Sequence, residues 1–193
     1  MRHALALAVA AAAMLLPACV DSTTYNGLEL VPPSQAPELR LTSANGELFD
    51  LAEQEGKVVL LFFGFTNCPD ICPTTLADWS RAYDELGNRA DRVEWVFITV
   101  DPERDTPEIA DRYAKNFNPN FIGLSPDSAG LAAIGRRFQV NFWREPLDDE
   151  GSQYAMAHSA QSFLVDRNGM VRLLYPHGFA ASELAEDLRK LAR

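Results

Sequence analysis

Hydrophobic residues occur along this chain in two patterns, continuous runs and helical spacing. The runs from Val58 to Phe63 and from Val93 to Val100 have the length and the β-branched and aromatic content of strands that are buried on both faces. Helical spacing predicts helices at Thr74 to Leu86, Glu108 to Phe117, Ser128 to Phe138 and Ser182 to Leu191. Because strands and helices alternate, we predict an α/β fold with a central mixed sheet flanked by helices.

Turn signals divide the rest of the chain. Asn45-Gly46 joins two short extended segments into a predicted N-terminal β-hairpin, and Asn168-Gly169 joins the two strands of a hairpin near the end. Phe121 to Leu124 is typical of a short edge strand. The region around 141–155 is irregular and polar, and it is long enough to be an inserted functional loop or a mobile lid.

Composition places the chain among ordinary globular proteins. It has 193 residues, of which 47% are hydrophobic and 23% are charged, without an internal repeat or a low-complexity tract. The formal net charge of -10 gives no basic footprint, so we do not expect a nucleic-acid partner.

The N-terminal segment indicates export. A short cationic start precedes an apolar stretch from Ala4 to Leu16, and Leu16-Pro17-Ala18-Cys19 ends it in the manner of a bacterial lipobox. We predict a lipoprotein signal peptide at 1–18, a lipidated Cys19, a flexible tether at 19–37 and a folded domain at 38–193. The protein would then be a membrane-anchored lipoprotein facing the periplasm or extracytoplasmic space. A plain cleaved signal or an uncleaved anchor is the alternative.

The two remaining cysteines lie where the first buried strand gives way to a helix. Gly64 allows a close backbone approach, and Cys68 and Cys72 follow in the sequence CPDICP. A disulfide between residues four apart closes too small a loop to add much stability, so redox or metal chemistry is the better explanation. A helix N-terminus favours thiolate over thiol, which suits both chemistries.

A histidine offers a third soft ligand. The order of strands and helices along the chain resembles that of a thioredoxin-like fold, in which the loop before the later hairpin packs against the cysteine loop and usually holds a cis-proline. This chain has no proline there and has His158 instead, whereas His177 is expected in a surface turn. Two thiolates and one imidazole suit Cu(I) and accept Cu(II) with an added ligand, while structural zinc prefers a fourth protein ligand.

A charged loop follows the second buried strand and is expected beside the cysteine loop. Asp101 and Asp105 could be metal or proton ligands, and either could complete a zinc site. The alternative is structural, with Arg104 and the two carboxylates forming a network and Thr106 capping the next helix. We treat Asp101, Arg104 and Asp105 as a supporting loop.

Four segments, in this order and spacing, resemble the Sco/SenC family of copper proteins. They are Phe65 to Pro73 with its CPxxCP motif, Val100 to Glu108 with its DPxRDTP motif, Phe121 to Leu124, and His158-Ser159. The resemblance covers nearly the whole chain from about Leu39 to the last helix. It implies a thioredoxin-like fold.

The resemblance also implies that Cys68, Cys72 and His158 hold copper, and that the protein helps to assemble the CuA centre in subunit II of cytochrome c oxidase. Many family members have Asp before the histidine, where this chain has Ala157, so a carboxylate partner of the imidazole would come from elsewhere. Asn67 replaces a residue that is often His.

The main functional hypothesis is a metallochaperone that binds one copper ion and delivers it to CuA, with a second periplasmic copper chaperone as a possible donor. The alternative is a thiol-disulfide oxidoreductase, with Cys68 and Cys72 as the catalytic redox pair, that keeps the CuA cysteines reduced. A peroxiredoxin-like peroxidase and a copper or redox sensor are less favoured.

Overall fold

The structure is a computed structural model that describes residues 24–149 and 153–193. The predicted signal peptide, the predicted lipidation site Cys19 and the start of the predicted tether lie outside these residues. Within the described ranges, no helix is both long enough and apolar enough to cross a membrane.

The described part of the chain forms strands and helices that alternate through most of its length. Two short 3-10 helices, Leu51–Gln54 and Gly87–Arg92, connect longer elements. The longer elements, in chain order, are β1 (Leu28–Gln35), β2 (Arg40–Thr42), β3 (Leu48–Asp50), β4 (Val58–Gly64), α1 (Ile71–Leu86), β5 (Val93–Thr99), α2 (Pro107–Lys115), β6 (Ile122–Leu124), α3 (Ser128–Phe138), β7 (Phe142–Pro146), β8 (Tyr154–His158), β9 (Ser162–Val165), β10 (Met170–Tyr175) and α4 (Ala181–Leu191).

Six strands form the main sheet in the order β1-β10-β9-β4-β5-β6. The central strand β4 is parallel to β5 and antiparallel to β9, and every one of its seven residues is buried. Neighbouring residues of β4 point to opposite faces: Phe62 packs against Trp79 of α1, and Phe63 packs against Phe138 of α3. Helices therefore cover both faces, and the predicted thioredoxin-like mixed sheet is confirmed.

The prediction of a flexible tether at 19–37 is wrong for its second half, which is part of the fold. Leu28–Gln35 is the edge strand β1, antiparallel to β10, with a register shift between Glu29 and Ser34. Pro32 and Pro33 lie within that shift, and prolines are tolerated on an edge strand because its outer N–H groups have no ladder partner. The folded domain thus begins before residue 38.

The predicted inserted loop is also different in the structure. β7 and β8 form an antiparallel hairpin of their own, with Phe142 opposite His158 and Pro146 opposite Tyr154. Most of β7 is exposed, which is why its sequence resembles a polar loop. The predicted N-terminal hairpin is confirmed as β2 and β3.

The first helix begins at Ile71, three residues before the predicted start. Pro73 lies in its first turn, where a missing backbone N–H costs no helical hydrogen bond. The earlier start places Cys72 inside the helix rather than before it. Trp79, predicted as a core residue, is 2% exposed.

Candidate metal centre

The cysteine pair lies at the carboxyl end of β4 and the N-terminus of α1. Cys72 is buried in the first turn of the helix, and Cys68 is half-buried in the preceding loop. The backbone N–H of Cys72 donates to Cys68 Sγ at 3.4 Å. Free N–H groups at a helix N-terminus favour negative charge, so this position stabilises a thiolate.

Gly64 makes room for the buried sulfur. A Cβ at this position would lie 2.9 Å from Cys72 Sγ and equally close to the rings of Phe62 and Phe97. The last residue of β4 therefore has to be glycine for the sulfur to lie against the strand end. The close approach expected from the sequence is confirmed.

His158 reaches the same point from the hairpin. It is the last residue of β8, not part of a loop, and its Nε2 lies 3.6 Å from Cys72 Sγ. Its Nδ1 donates to the Ser159 carbonyl at 3.0 Å, which holds the ring with Nε2 facing the sulfur. The backbone carbonyl thus orients the imidazole. Phe65 packs edge-on against the ring.

The three side chains form one potential metal site. The ligand atoms of Cys68, Cys72 and His158 all lie within 4.8 Å of one another. One ion could contact all three, and two sulfurs with one nitrogen are a soft donor set that fits copper. Among the described residues, no carboxylate belongs to this group, so Asp101 and Asp105 do not complete a four-ligand zinc site.

A hydrogen bond between the two thiols shifts their pKa values in opposite directions. The Cys72 thiol donates a hydrogen bond that lowers the pKa of Cys68 to about 5; backbone N–H groups and His158 act in the same direction, and burial opposes them. The same hydrogen bond, together with burial, raises the pKa of Cys72. Near neutral pH the pair therefore carries one negative charge, with the thiolate on the more exposed Cys68.

Asp105 joins the supporting loop to the cysteine loop. Its buried carboxylate accepts hydrogen bonds from the backbone N–H of Thr66 at 2.9 Å and from the Thr99 hydroxyl at 2.6 Å. The Thr66 hydroxyl donates to the other carboxylate oxygen. These contacts favour the structural role of Asp105 over a ligand role.

Asp101 and Arg104 join the same loop to the hairpin. Arg104 pairs with one oxygen of the buried Asp101 carboxylate, and the Tyr154 hydroxyl donates to the other at 2.8 Å. Tyr154 has no local sequence signature for this contact, since its partner lies 53 positions away. The alternate positions Tyr154, Met156 and His158, which share one face of a strand, are the one signal that could have linked it to the site.

His177 lies outside this cluster. It is exposed in the turn after β10, as predicted, and its Nδ1 is 3.5 Å from the Thr75 hydroxyl. The imidazole of the candidate site is therefore that of His158.

Known proteins share both the sequence and the fold. Residues 31–193 match the profile of the SCO1/SenC family. An SCO2-like protein from Rickettsia felis is 39% identical over 132 residues, 68% of this chain and 64% of that protein, so the chain spans just under two thirds of its length.

Two solved structures are similar along nearly their whole chains. Apo Sco1 from Thermus thermophilus is 39% identical with a TM-score of 0.78, and the match covers 88% of this chain and 98% of that one. ScoI from Bradyrhizobium japonicum, solved with copper bound, is 36% identical with a TM-score of 0.75, over 82% and 99% of the two chains. By the family profile and by this fold, the chain belongs to the SCO1/SenC family.

Proposed function

We propose that this protein is a copper metallochaperone that binds one copper ion through Cys68, Cys72 and His158 and delivers it to the CuA site in subunit II of cytochrome c oxidase. The observation that carries the proposal is the cluster of two sulfurs and one nitrogen within 4.8 Å. A similar protein, ScoI of Bradyrhizobium japonicum, has been solved with copper bound, which supports the choice of metal.

The geometry suits binding followed by release. Cys72 and His158 form a pre-oriented pair at 3.6 Å, because the Ser159 carbonyl holds the ring with Nε2 facing the sulfur. Cys68 is the more exposed of the two cysteines, and its thiolate can begin and end an exchange without a proton transfer. Thiolates and imidazoles of a target site could therefore replace the ligands one at a time, starting with Cys68.

Copper titration of the purified full chain tests the binding step. We expect one Cu(I) per reduced molecule and a large loss of Cu(II) affinity in His158→Ala, because the nitrogen ligand is harder than the sulfurs. Cys19→Ser is the control that removes the third thiol from the stoichiometry. Unchanged copper affinity in His158→Ala would remove that residue from the site.

Transfer to an isolated copper-free CuA domain tests delivery. The loaded protein should hand copper to the CuA domain, and its Cys72→Ala variant should not. If the CuA domain gains no copper while the donor stays fully loaded, the metallochaperone assignment is wrong.

The alternative function is thiol-disulfide exchange, and the pair's charge distribution favours it. The Cys68 thiolate would attack a target disulfide and form a mixed disulfide, and Cys72 would then attack Cys68, so that two target thiols are released and the pair is oxidised. The segment between β8 and β9, Ser159 to Gln161, has no proline to receive a disulfide substrate. Reduction of an oxidised CuA domain by the copper-free protein would support this role.

Export and anchoring belong to the same proposal. A CuA domain lies outside the cytoplasm, so a chaperone that serves it needs the predicted signal peptide and the lipidated Cys19. Metabolic labelling with palmitate tests the anchor. We expect label in the wild-type chain and none in Cys19→Ser.

A further inference from the structure

We propose that the loop 101–105 is a brace that fixes His158 relative to the two cysteines, and that the Tyr154 hydroxyl is the contact through which it positions the imidazole. The inference rests on the proposed copper site. It adds a positioning residue, Tyr154, which is not one of the three potential ligands.

The brace contacts β8 at the end opposite to His158. Tyr154 is the first residue of β8 and His158 is the last, so both side chains lie on the same face. The Tyr154 hydroxyl donates to Asp101 at 2.8 Å, while Arg104 donates to the Tyr154 carbonyl at 2.9 Å and stacks 3.8 Å above its ring. A second guanidinium, that of Arg144, lies 4.6 Å from the same ring.

The same loop holds the cysteine loop at its other end. Asp105 accepts from the backbone N–H and the hydroxyl of Thr66, which precedes Cys68 by two residues. Asp101 and Asp105 are linked directly, because the backbone N–H of Asp105 donates to the Asp101 carbonyl at 2.9 Å. One short segment, in which both aspartates are buried, therefore contacts both halves of the site.

The hairpin's other supports are side-chain contacts, such as the packing of Phe62 and Phe65 against the His158 ring. β7 and β8 pair with each other and not with the main sheet, and Met156 is the residue of β8 whose side chain is buried. Loss of the Tyr154 hydroxyl would leave the cysteines in place and let the strand that carries His158 shift. The expected effect therefore falls on the nitrogen ligand.

A comparison of Cu(I) with Cu(II) binding distinguishes a shifted His158 from a general loss of the copper site. Cu(I) is satisfied by two thiolates, whereas Cu(II) depends more on the imidazole. Tyr154→Phe keeps the ring that stacks on Arg104 and removes the hydroxyl alone. We expect the Kd for Cu(II) to rise about tenfold, the factor of one hydrogen bond to a charged acceptor, while Cu(I) binding stays at the wild-type value.

Tyr83→Phe is the matched control. Its hydroxyl accepts one hydrogen bond, from Asn120 at 2.6 Å, and it lies about 16 Å further along α1 than Cys72. The control should bind both copper ions as the wild type does. An equal loss of Cu(I) and Cu(II) binding in Tyr154→Phe, or a Kd for Cu(II) equal to that of the control, would overturn the brace.

A double-mutant cycle tests whether Tyr154 acts through His158. Tyr154→Phe should have no further effect on Cu(II) binding in a His158→Ala background, because the side chain that it positions is already gone. A full tenfold effect in that background would contradict the inference.

A measurement without copper separates the brace from the proposed function. Amide hydrogen exchange at Met156 to His158 should be faster in copper-free Tyr154→Phe than in Tyr83→Phe, while the amides of β4 stay protected. If His158→Ala binds copper normally but exchange is faster, the copper site is wrong and the brace stands. If His158→Ala loses Cu(II) and exchange is unchanged, the brace is wrong and the copper site stands.

Discussion

Cys72 and His158 lie 3.6 Å apart but belong to parts of the molecule with very different support. Cys72 lies in the first turn of a helix of 16 residues, and this helix follows a strand whose seven residues are all buried. His158 ends a hairpin whose partner strand β7 is mostly exposed. The comparison teaches that the core places Cys72, while contacts of single side chains place the imidazole.

The largest expected effect comes from removing the carboxylate beneath the cysteine loop. Asp105→Ala would leave the donors of Thr66 and Thr99 without their shared acceptor, and should lower the free energy of unfolding by about 4 kcal/mol. Denaturant unfolding measures it. Asp111→Ala, which breaks an exposed ion pair with Lys115, is the control and should cost at most about 0.5 kcal/mol. Similar losses of unfolding free energy in the two variants would show that the contacts of Asp105 stabilise the fold no more than an exposed ion pair does.

Gly64→Ala tests the steric limit on the same half. The added Cβ would overlap Cys72 Sγ and two aromatic rings, and should lower the free energy of unfolding by about 3 kcal/mol. Gly46→Ala is the control: it meets no atom within 4 Å, but its φ of +85° makes alanine cost about 1 kcal/mol. A smaller loss for Gly64→Ala than for the control would contradict the tight packing of Cys72.

The pH dependence of alkylation tests whether Cys72 or His158 contributes more to the lowered pKa of Cys68. A lowered pKa favours the thiolate, so Cys68 in the reduced, copper-free protein should react with iodoacetamide above about pH 5 and lose reactivity below it. Cys72→Ala should move the midpoint upward, because it removes the hydrogen bond that contributes most. His158→Ala should move it less. Mass spectrometry of the labelled peptides gives the midpoint of each variant. A larger shift in His158→Ala than in Cys72→Ala would show that the histidine, and not the second thiol, contributes most to the low pKa of Cys68.

The smallest effect is expected on the outer face of the hairpin. Trp143 is 54% exposed, and Trp143→Ala should change the free energy of unfolding by about 0.5 kcal/mol or less. Trp79→Ala, the same substitution in the core, should cost about 4 kcal/mol. Thermal or denaturant unfolding compares the two. A loss above about 1 kcal/mol for Trp143 would mean that the hairpin is more firmly packed than its exposure indicates.

The sequence predicted most of what the hydrophobic pattern controls. The buried runs that became β4 and β5 and the helix Ser128–Phe138 were predicted. The residue types also singled out Cys68, Cys72 and His158, which the structure brings together. Tyr154 was not predicted as a site residue, since its hydrogen bond to Asp101 joins positions that no local pattern links. β1 and the β7–β8 hairpin were missed because prolines and exposed polar residues hide strands that lie at an edge.

The buried Asp187 has a practical consequence for where the domain can be cut. Its carboxylate accepts from the backbone N–H groups of Asn26 and Gly27 and from the Tyr175 hydroxyl, and so fastens the start of β1 to α4. A chain shortened to residues 38–193 would lose β1 and uncover the hydrogen-bonding edge of β10. Such an open edge invites pairing with a second molecule, so the truncated protein should aggregate, whereas a version that starts at Thr24 should not.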